Sequence, residues 1–317
     1  MNQHSNKNRY CLIVSGDSRV ELNKFEGQAD LLVMSPPYAD ARKRHYDGIH
    51  PDNFADWFAS FHQTFWNALR EDGSLVINIK DKVVDGVRHR FVWRMIDQLS
   101  SLGWHCIEDY IWHKPNPMPG YWPTRLRDGW EYCFHLAKIK RPYINQSEVR
   151  KPIGDWVKTR LAKLGTNDLQ RHNSVNDSGF GRDISKWVGK TMVLPSNVLS
   201  VPLVGKNKGH PAVYPVELPL FFIKMLSRPE GLVIDPFGGS GSTAIAALTA
   251  GRDCVLIDND PSYCEIAYHR IMQEAQSDNF EVSYNNIQGS HNQVYKKHSA
   301  QQMTLMLKQR HAIYEVN

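Results

Sequence analysis

The sequence predicts an α/β fold built on a doubly wound, mostly parallel sheet, and three observations carry that expectation. Four short apolar runs, 31–34, 75–79, 232–234 and 254–257, end in turn or acidic residues, the pattern of strands buried on both faces. Helical patterns separate them, and strand and helix alternate at both ends of the chain, so the sheet draws on an N-terminal and a C-terminal half. The middle lacks this alternation and reads as a loop-rich insertion.

A chain of 317 residues with 41% hydrophobic content can bury a substantial core. Residues 1–9 are polar and lack the apolar centre of a signal peptide, and no apolar run approaches the roughly 20 residues that span a bilayer. The expectation is a cytoplasmic protein with no membrane association. After the first run, Phe54, Trp57, Phe58, Phe61, Phe65 and Leu69 recur at steps of three and four, which predicts a helix whose aromatic stripe is core, not a binding platform. Ser242 opens a second helix through the small apolar residues 244–250, and Gly251 stops it. Pro261 suits the first turn of a third.

From 138 to 190 there are twelve Lys or Arg and five Asp or Glu, a net of +7 against +5 for the whole chain. Charge alone leaves a solvated insertion and a surface for a polyanion equally open. Residues 276–317 form a polar C-terminal extension with a short helix expected over 300–311. The five cysteines, Cys11, Cys106, Cys133, Cys254 and Cys264, are scattered without a Cys-x-x-Cys pair, which predicts neither disulfides nor zinc. Fourteen histidines show no ligand spacing, so no metal is expected.

Two constellations carry chemistry. Asp235-Pro236-Phe237-Gly238-Gly239-Ser240-Gly241-Ser242-Thr243 follows a strand and precedes a helix, and its glycines let the backbone turn sharply and approach a ligand. The next strand ends in Asp258, where a carboxylate can accept hydrogen bonds from both ribose hydroxyls. The turn is neither Gly-x-Gly-x-x-Gly nor a phosphate loop, so a nucleoside without phosphates, such as S-adenosylmethionine, fits better than a dinucleotide or ATP. Phe237 offers a wall for adenine.

Ser35-Pro36-Pro37-Tyr38 closes the strand 31–34. Two prolines hold the backbone extended and donate no hydrogen bonds, so the Ser35 and Pro36 carbonyls can be fixed toward an external donor. A stiff turn would need nothing more. The exocyclic amino nitrogen of a base, however, is a poor nucleophile because its lone pair is delocalised. Acceptors at the Ser35 hydroxyl and the Pro36 carbonyl would favour a pyramidal nitrogen with a free lone pair. Tyr38 would stack on the base, which must leave the duplex to reach such a site.

With these residues in view, the sequence resembles the β group of DNA amino-methyltransferases, in which an Asp/Asn/Ser-Pro-Pro-Tyr/Phe motif precedes a Phe-x-Gly-x-Gly motif. The resemblance runs from Gly16 to about Ile271. It implies a Rossmann-like methyltransferase fold with permuted motif order, S-adenosylmethionine as cofactor and double-stranded DNA as partner, in the cytoplasm at the nucleoid. Gly16-Asp17 is similar to the element whose acidic residue contacts the cofactor adenine. The stretch 206–219, with His210-Pro211 and Tyr214-Pro215, is similar to the segment that encloses the methionine arm. Trp112-His113-Lys114-Pro115-Asn116-Pro117-Met118-Pro119, with Arg125 and Glu131 beyond it, resembles the lining of the target-base pocket.

The implied catalytic residues are Ser35, Pro36, Pro37 and Tyr38. The implied cofactor residues are Asp17, Asp235, Pro236, Phe237, Gly238, Gly239, Ser240, Gly241, Thr243 and Asp258. The implied organisation is a catalytic half (1–137), a target-recognition region (138–200), a cofactor half (201–275) and the extension (276–317), with residues 39–50 as a loop closing over the flipped base. Ser35 places cytosine N4 ahead of adenine N6 as target, and a catalytically inactive DNA-binding relative is the alternative from another class. A cognate restriction nuclease and a homodimer both remain open.

Overall fold

The computed structural model describes residues 9–39, 48–154, 159, 162–163, 189–204, 214–275, 280–286 and 292–297. In chain order its elements begin with β1 (Arg9–Ser15), α1 (Ser18–Glu21), β2 (Ala29–Met34), α2 (Phe54–Ala59), α3 (His62–Ala68), β3 (Leu69–Ile79), the hairpin β4 (Lys82–Val84) and β5 (Val87–His89), α4 (Phe91–Ser101), β6 (His105–His113) and β7 (Trp130–Ala137). There follow β8 (Lys151–Pro152), β9 (Met192–Val193), β10 (Val198–Ser200), α5 (Glu217–Leu226), β11 (Leu232–Asp235), α6 (Ser242–Thr249), β12 (Asp253–Asp258), α7 (Pro261–Glu274), β13 (Phe280–Asn286) and β14 (Asn292–Lys297). None of the described helices is long and apolar enough to cross a membrane.

Ten of the described strands form one sheet in the order β10-β6-β7-β3-β2-β11-β12-β1-β13-β14. Only β7 and β14 run antiparallel to their neighbours. The four predicted runs lie in β2, β3, β11 and β12. Leu31 and Leu32 point to opposite faces of β2, yet neither is exposed, so both faces are covered, as a doubly wound sheet requires. On one face, Leu32, Met34, Ile234 and Val255 pack with Phe54, Phe58 and Phe65 of α2 and α3 and Met95 of α4. The α5–α7 helices pack with β2, β12 and β1, respectively, through α5–β2, α6–β12 and α7–β1 contacts.

The aromatic stripe is core as expected, but two helices share it, not one, with Phe61 between them and Leu69 already in β3. Ser60 interrupts it: its hydroxyl donates to the Trp57 carbonyl at 2.6 Å, and its N–H is shared between Asp56 and Trp57 carbonyls, the backbone competition that weakens a helix at serine. Phe54, Phe58 and Phe65 remain fully buried, each contributing roughly 1.5–3 kcal/mol of burial. Part of the C-terminal extension joins the sheet. Phe280 and Val282 alternate inward along β13, which pairs parallel to β1, a period-2 pattern within a polar stretch. The helix expected over 300–311 lies outside the described residues.

Chain contacts divide the molecule into two compact units, Met1–Asn145 with Asn197–Asn317, and Gln146–Ser196. The second contains the short antiparallel pair β8–β9, Lys151 opposite Val193 and Pro152 opposite Met192.

The large sheet joins its two halves at β2 and β11, parallel neighbours with Leu32 opposite Ile234. One comes from the N-terminal half and the other from the C-terminal half. Their carboxyl ends carry the two motifs, at the place where open α/β sheets bind ligands.

Candidate active site

The cofactor-type turn is fixed by its first carboxylate. Asp235 is fully buried. One of its oxygens accepts the Phe237 N–H at 3.0 Å, and the other accepts the Thr243 hydroxyl at 2.5 Å and the Tyr214 hydroxyl at 3.3 Å. Burial pushes its pKa up to about 7, against these hydrogen bonds. Thus Asp235 and Thr243 face each other across the turn. Ser242 donates to the Tyr214 carbonyl at 2.9 Å, and Arg270 of α7 donates to the Ser240 carbonyl and hydroxyl, each at 2.8 Å. Gly241, at φ +85°, caps α6, and a Cβ there would lie 3.1 Å from Ala267 Cβ.

Asp258 stands half-buried at the end of β12. Its Oδ2 accepts the Gly239 N–H at 2.8 Å and its Oδ1 accepts the Asp260 N–H at 3.0 Å. Each oxygen thereby keeps one lone pair free of these backbone partners. Burial pushes its pKa up to about 6. β1 delivers Asp17 to the same place: the Gly16 N–H donates to the Asp258 carbonyl at 2.8 Å, and Ser18 donates to the Pro236 carbonyl. Asp17 caps α1 and binds Arg19, whose Nη2 lies 2.6 Å from Oδ2, a pairing that lowers the Asp17 pKa. Arg19 lies over the Phe61 ring at 5.3 Å. Phe237, half-buried, packs on Phe61 at 5.3 Å and Trp57 at 5.9 Å. A sulfonium nucleoside presents a diol, an aromatic base and a short polar arm. Two carboxylates, an exposed part of Phe237 and a glycine turn fit that set.

At the end of β2, Pro36 is buried, while Ser35, Pro37 and Tyr38 are half-buried. The Tyr38 hydroxyl donates to Glu131 Oε2 at 2.5 Å and lies 3.4 Å from Asn78 Oδ1. Its pKa is raised well above the usual value by burial first and by the Glu131 carboxylate next, while a hydrogen bond with Ser35 opposes the rise. Glu131 also forms a buried ion pair with Lys114, whose ammonium lies 4.4 Å from the centre of the Trp112 ring. Asn78 donates to the Tyr132 carbonyl at 3.1 Å. The motif therefore sits on a polar network spanning β3, β6 and β7.

Thirteen of the fourteen expected site residues fall at the ends of β1, β2, β11 and β12 or in the turns leaving them, and Thr243 falls in the first turn of α6. Residues 40–47 of the expected closing loop and 205–213, including His210-Pro211, lie outside the described residues. Sequence reasoning missed Asn78, Arg19 and Arg270. Asn78 left a signal, a polar residue inside the apolar run 75–79. Arg270 left none, because its partner Ser240 comes near only through the fold, whereas Arg19 stands two residues from the Asp17 that it binds.

The DNA methylase family model matches residues 29–269. The chain belongs to this family. Its members take their methyl group from S-adenosylmethionine. Among curated relatives, this DNA methylase is 30% identical to the type II methyltransferase M.PvuII of Proteus hauseri, over 81% of this chain and 82% of that protein. It is 27% identical to the type II methyltransferase M.SmaI of Serratia marcescens, over 84% and 92%. The solved PvuII DNA methyltransferase (cytosine-N4-specific) superposes with a TM-score of 0.61 at 24% identity, covering 85% of the methylase and 96% of that structure. The protein TTHA0409 of Thermus thermophilus, complexed with S-adenosyl-L-methionine, superposes with a TM-score of 0.55 at 23% identity, over 86% and 98%.

Proposed function

We propose that this methylase acts at specific DNA sites, transferring the methyl group to the exocyclic amino nitrogen of a flipped base, with cytosine N4 as the target. The observation that supports it most is the adjacency of β2 and β11: a nucleophile held by 35–38 is next to a donor held by 235–241. Asp258 would hold the ribose hydroxyls, Phe237 would cover adenine, and Asp17 would contact the adenine edge. Pro236, Gly238, Gly239, Ser240 and Gly241 leave room for the amino-acid arm, while Asp235 and Thr243 hold the turn in shape.

When bound, S-adenosylmethionine supplies an electrophilic methyl carbon on a sulfonium leaving group. The Ser35 hydroxyl and Pro36 carbonyl accept the two amino N–H groups and orient the lone pair, and Pro37 stiffens that backbone. Tyr38 stacks on the base, its ring held in place by the bond to Glu131. Attack of that nitrogen on the methyl carbon would release the neutral thioether, and the acidified amino group would lose its proton to solvent. Cytosine N4 is chosen because serine opens the motif and because the PvuII structure, cytosine-N4-specific by its own description, shares the fold.

Residues 138–200, which contain the compact unit Gln146–Ser196, serve target recognition through phosphate and groove contacts. The type II relatives support a cognate nuclease, and the protein works in the cytoplasm on nucleoid DNA, as a monomer or homodimer. Incubation with labelled S-adenosylmethionine and unmethylated DNA, followed by nucleoside analysis, tests the reading. N4-methylcytosine is expected. N6-methyladenine alone would overturn the target assignment. Cofactor and DNA binding without transfer would favour the inactive relative.

A further inference from the structure

The chain between β6 and β7 starts and ends at the catalytic motif. Lys114 and Glu131 form the ion pair beneath Tyr38, and the Lys114 N–H donates to the Gly129 carbonyl at 2.7 Å. The segment between is pinned. Asn116 exchanges hydrogen bonds with the Leu203 N–H and carbonyl at 2.7 and 3.2 Å. Asp128 gathers Arg88 at 2.9 Å, Arg125 at 3.2 Å and Lys80 at 3.6 Å. Arg125 lies over the Trp122 ring at 4.6 Å, and that ring covers Gly120 so closely that a Cβ there would meet it at 2.4 Å.

This ordered segment nevertheless turns three large apolar side chains outward. Met118, Tyr121 and Leu126 are 72, 87 and 90% exposed, next to the exposed Arg127. Tyr121, Leu126 and Arg127 border one surface depression, and apolar tips grouped this way mark an interaction surface. Their cationic flank and their place beside the catalytic motif select the occupant. A base extruded toward Tyr38 leaves unstacked apolar faces in the duplex, bordered by phosphates.

We propose that residues 117–127 form a wedge that enters DNA beside the flipped base, with Tyr121 and Leu126 covering the bases left behind and Arg127 meeting the backbone. This rests on the methyl-transfer reading and adds a residue set to it. The test uses the full-length protein and phage DNA to map the modified site, then two duplexes carrying that site. In one the target base is paired; in the other it faces an abasic position and is already free. The Tyr121→Ala/Leu126→Ala variant should slow transfer to the paired duplex by about tenfold or more, since unstacking costs a few kcal/mol. It should match the wild type on the abasic duplex and bind S-adenosylmethionine unchanged. Leu126→Met with Tyr121 intact should restore the paired rate. An unchanged paired rate, or equal losses on both duplexes, would overturn the wedge. So would dissociation of a dimer in sedimentation, which would assign the patch to a second copy of the chain. Failure of the wild type to methylate phage DNA would instead overturn the underlying reading.

Discussion

Tyr38 and Asp258 show how much depends on the partners of a single side chain. Tyr38 donates to a carboxylate that is itself buried against an ammonium, so its ring is anchored at one edge. Pro36→Ala and Tyr38→Ala should therefore lower turnover far more than cofactor affinity, whereas Asp258→Ala should chiefly weaken the cofactor; steady-state kinetics with equilibrium binding separates the two. Glu131→Ala should cost about 3–5 kcal/mol in denaturant unfolding, because it strands the buried Lys114 charge. Asp235 makes a prediction in pH. Its pKa rises from the ordinary carboxyl range to about 7 in the fold, so the native state binds a proton that the unfolded chain has already lost. Its contribution is present in acid and disappears as pH rises through 7. Asp235→Asn should then gain thermal stability relative to wild type between pH 5 and 8, read as a difference in Tm at each pH. The acidic ends of strands were legible in the sequence because a carboxylate after an apolar run has few structural uses. Asn78 was overlooked inside its run and Arg19 two residues beyond Asp17, while Arg270 mattered only through partners that the fold supplies.

The elements repeat that division. The turn 235–241 and the helix after it could be read from glycine, proline and small-residue order, since each acts on its own backbone. What the turn packs against could not. Gly241 combines a left-handed φ of +85° with a Cβ position 3.1 Å from Ala267 on α7. Gly241→Ala should destabilise the fold by about 1–3 kcal/mol, the range for a strained backbone residue, and should weaken cofactor binding as α7 shifts. Chemical denaturation and binding measured on one preparation would check both. The aromatic stripe shows the converse. Its burial followed from periodicity alone, but its break at Ser60 depends on one hydroxyl choosing the Trp57 carbonyl over solvent, which spacing does not encode.

At the scale of the whole molecule, permutation is what makes the site. The two motifs lie 200 residues apart along the chain, between Ser35 and Asp235, yet on neighbouring parallel strands. The parallel strands were legible as doubly buried runs. The antiparallel β7 and β14 were not, because their place in the sheet is a long-range outcome. Charge was legible as a segment and not as a surface. If the insertion neutralises DNA phosphates, each contact releases counterions, and log affinity falls with log salt by roughly 0.9 per phosphate on B-DNA. Arg150 and Lys151 are exposed at the start of the second compact unit. Replacing both with alanine should lower that slope by about 1.8 if each meets one phosphate. Affinity should fall by a similar factor for cognate and unrelated duplexes, because phosphates carry no sequence, while S-adenosylmethionine binding should not change. Fluorescence anisotropy across a salt series reads the slope directly, and an unaltered slope would return this basic segment to the role of solvated surface.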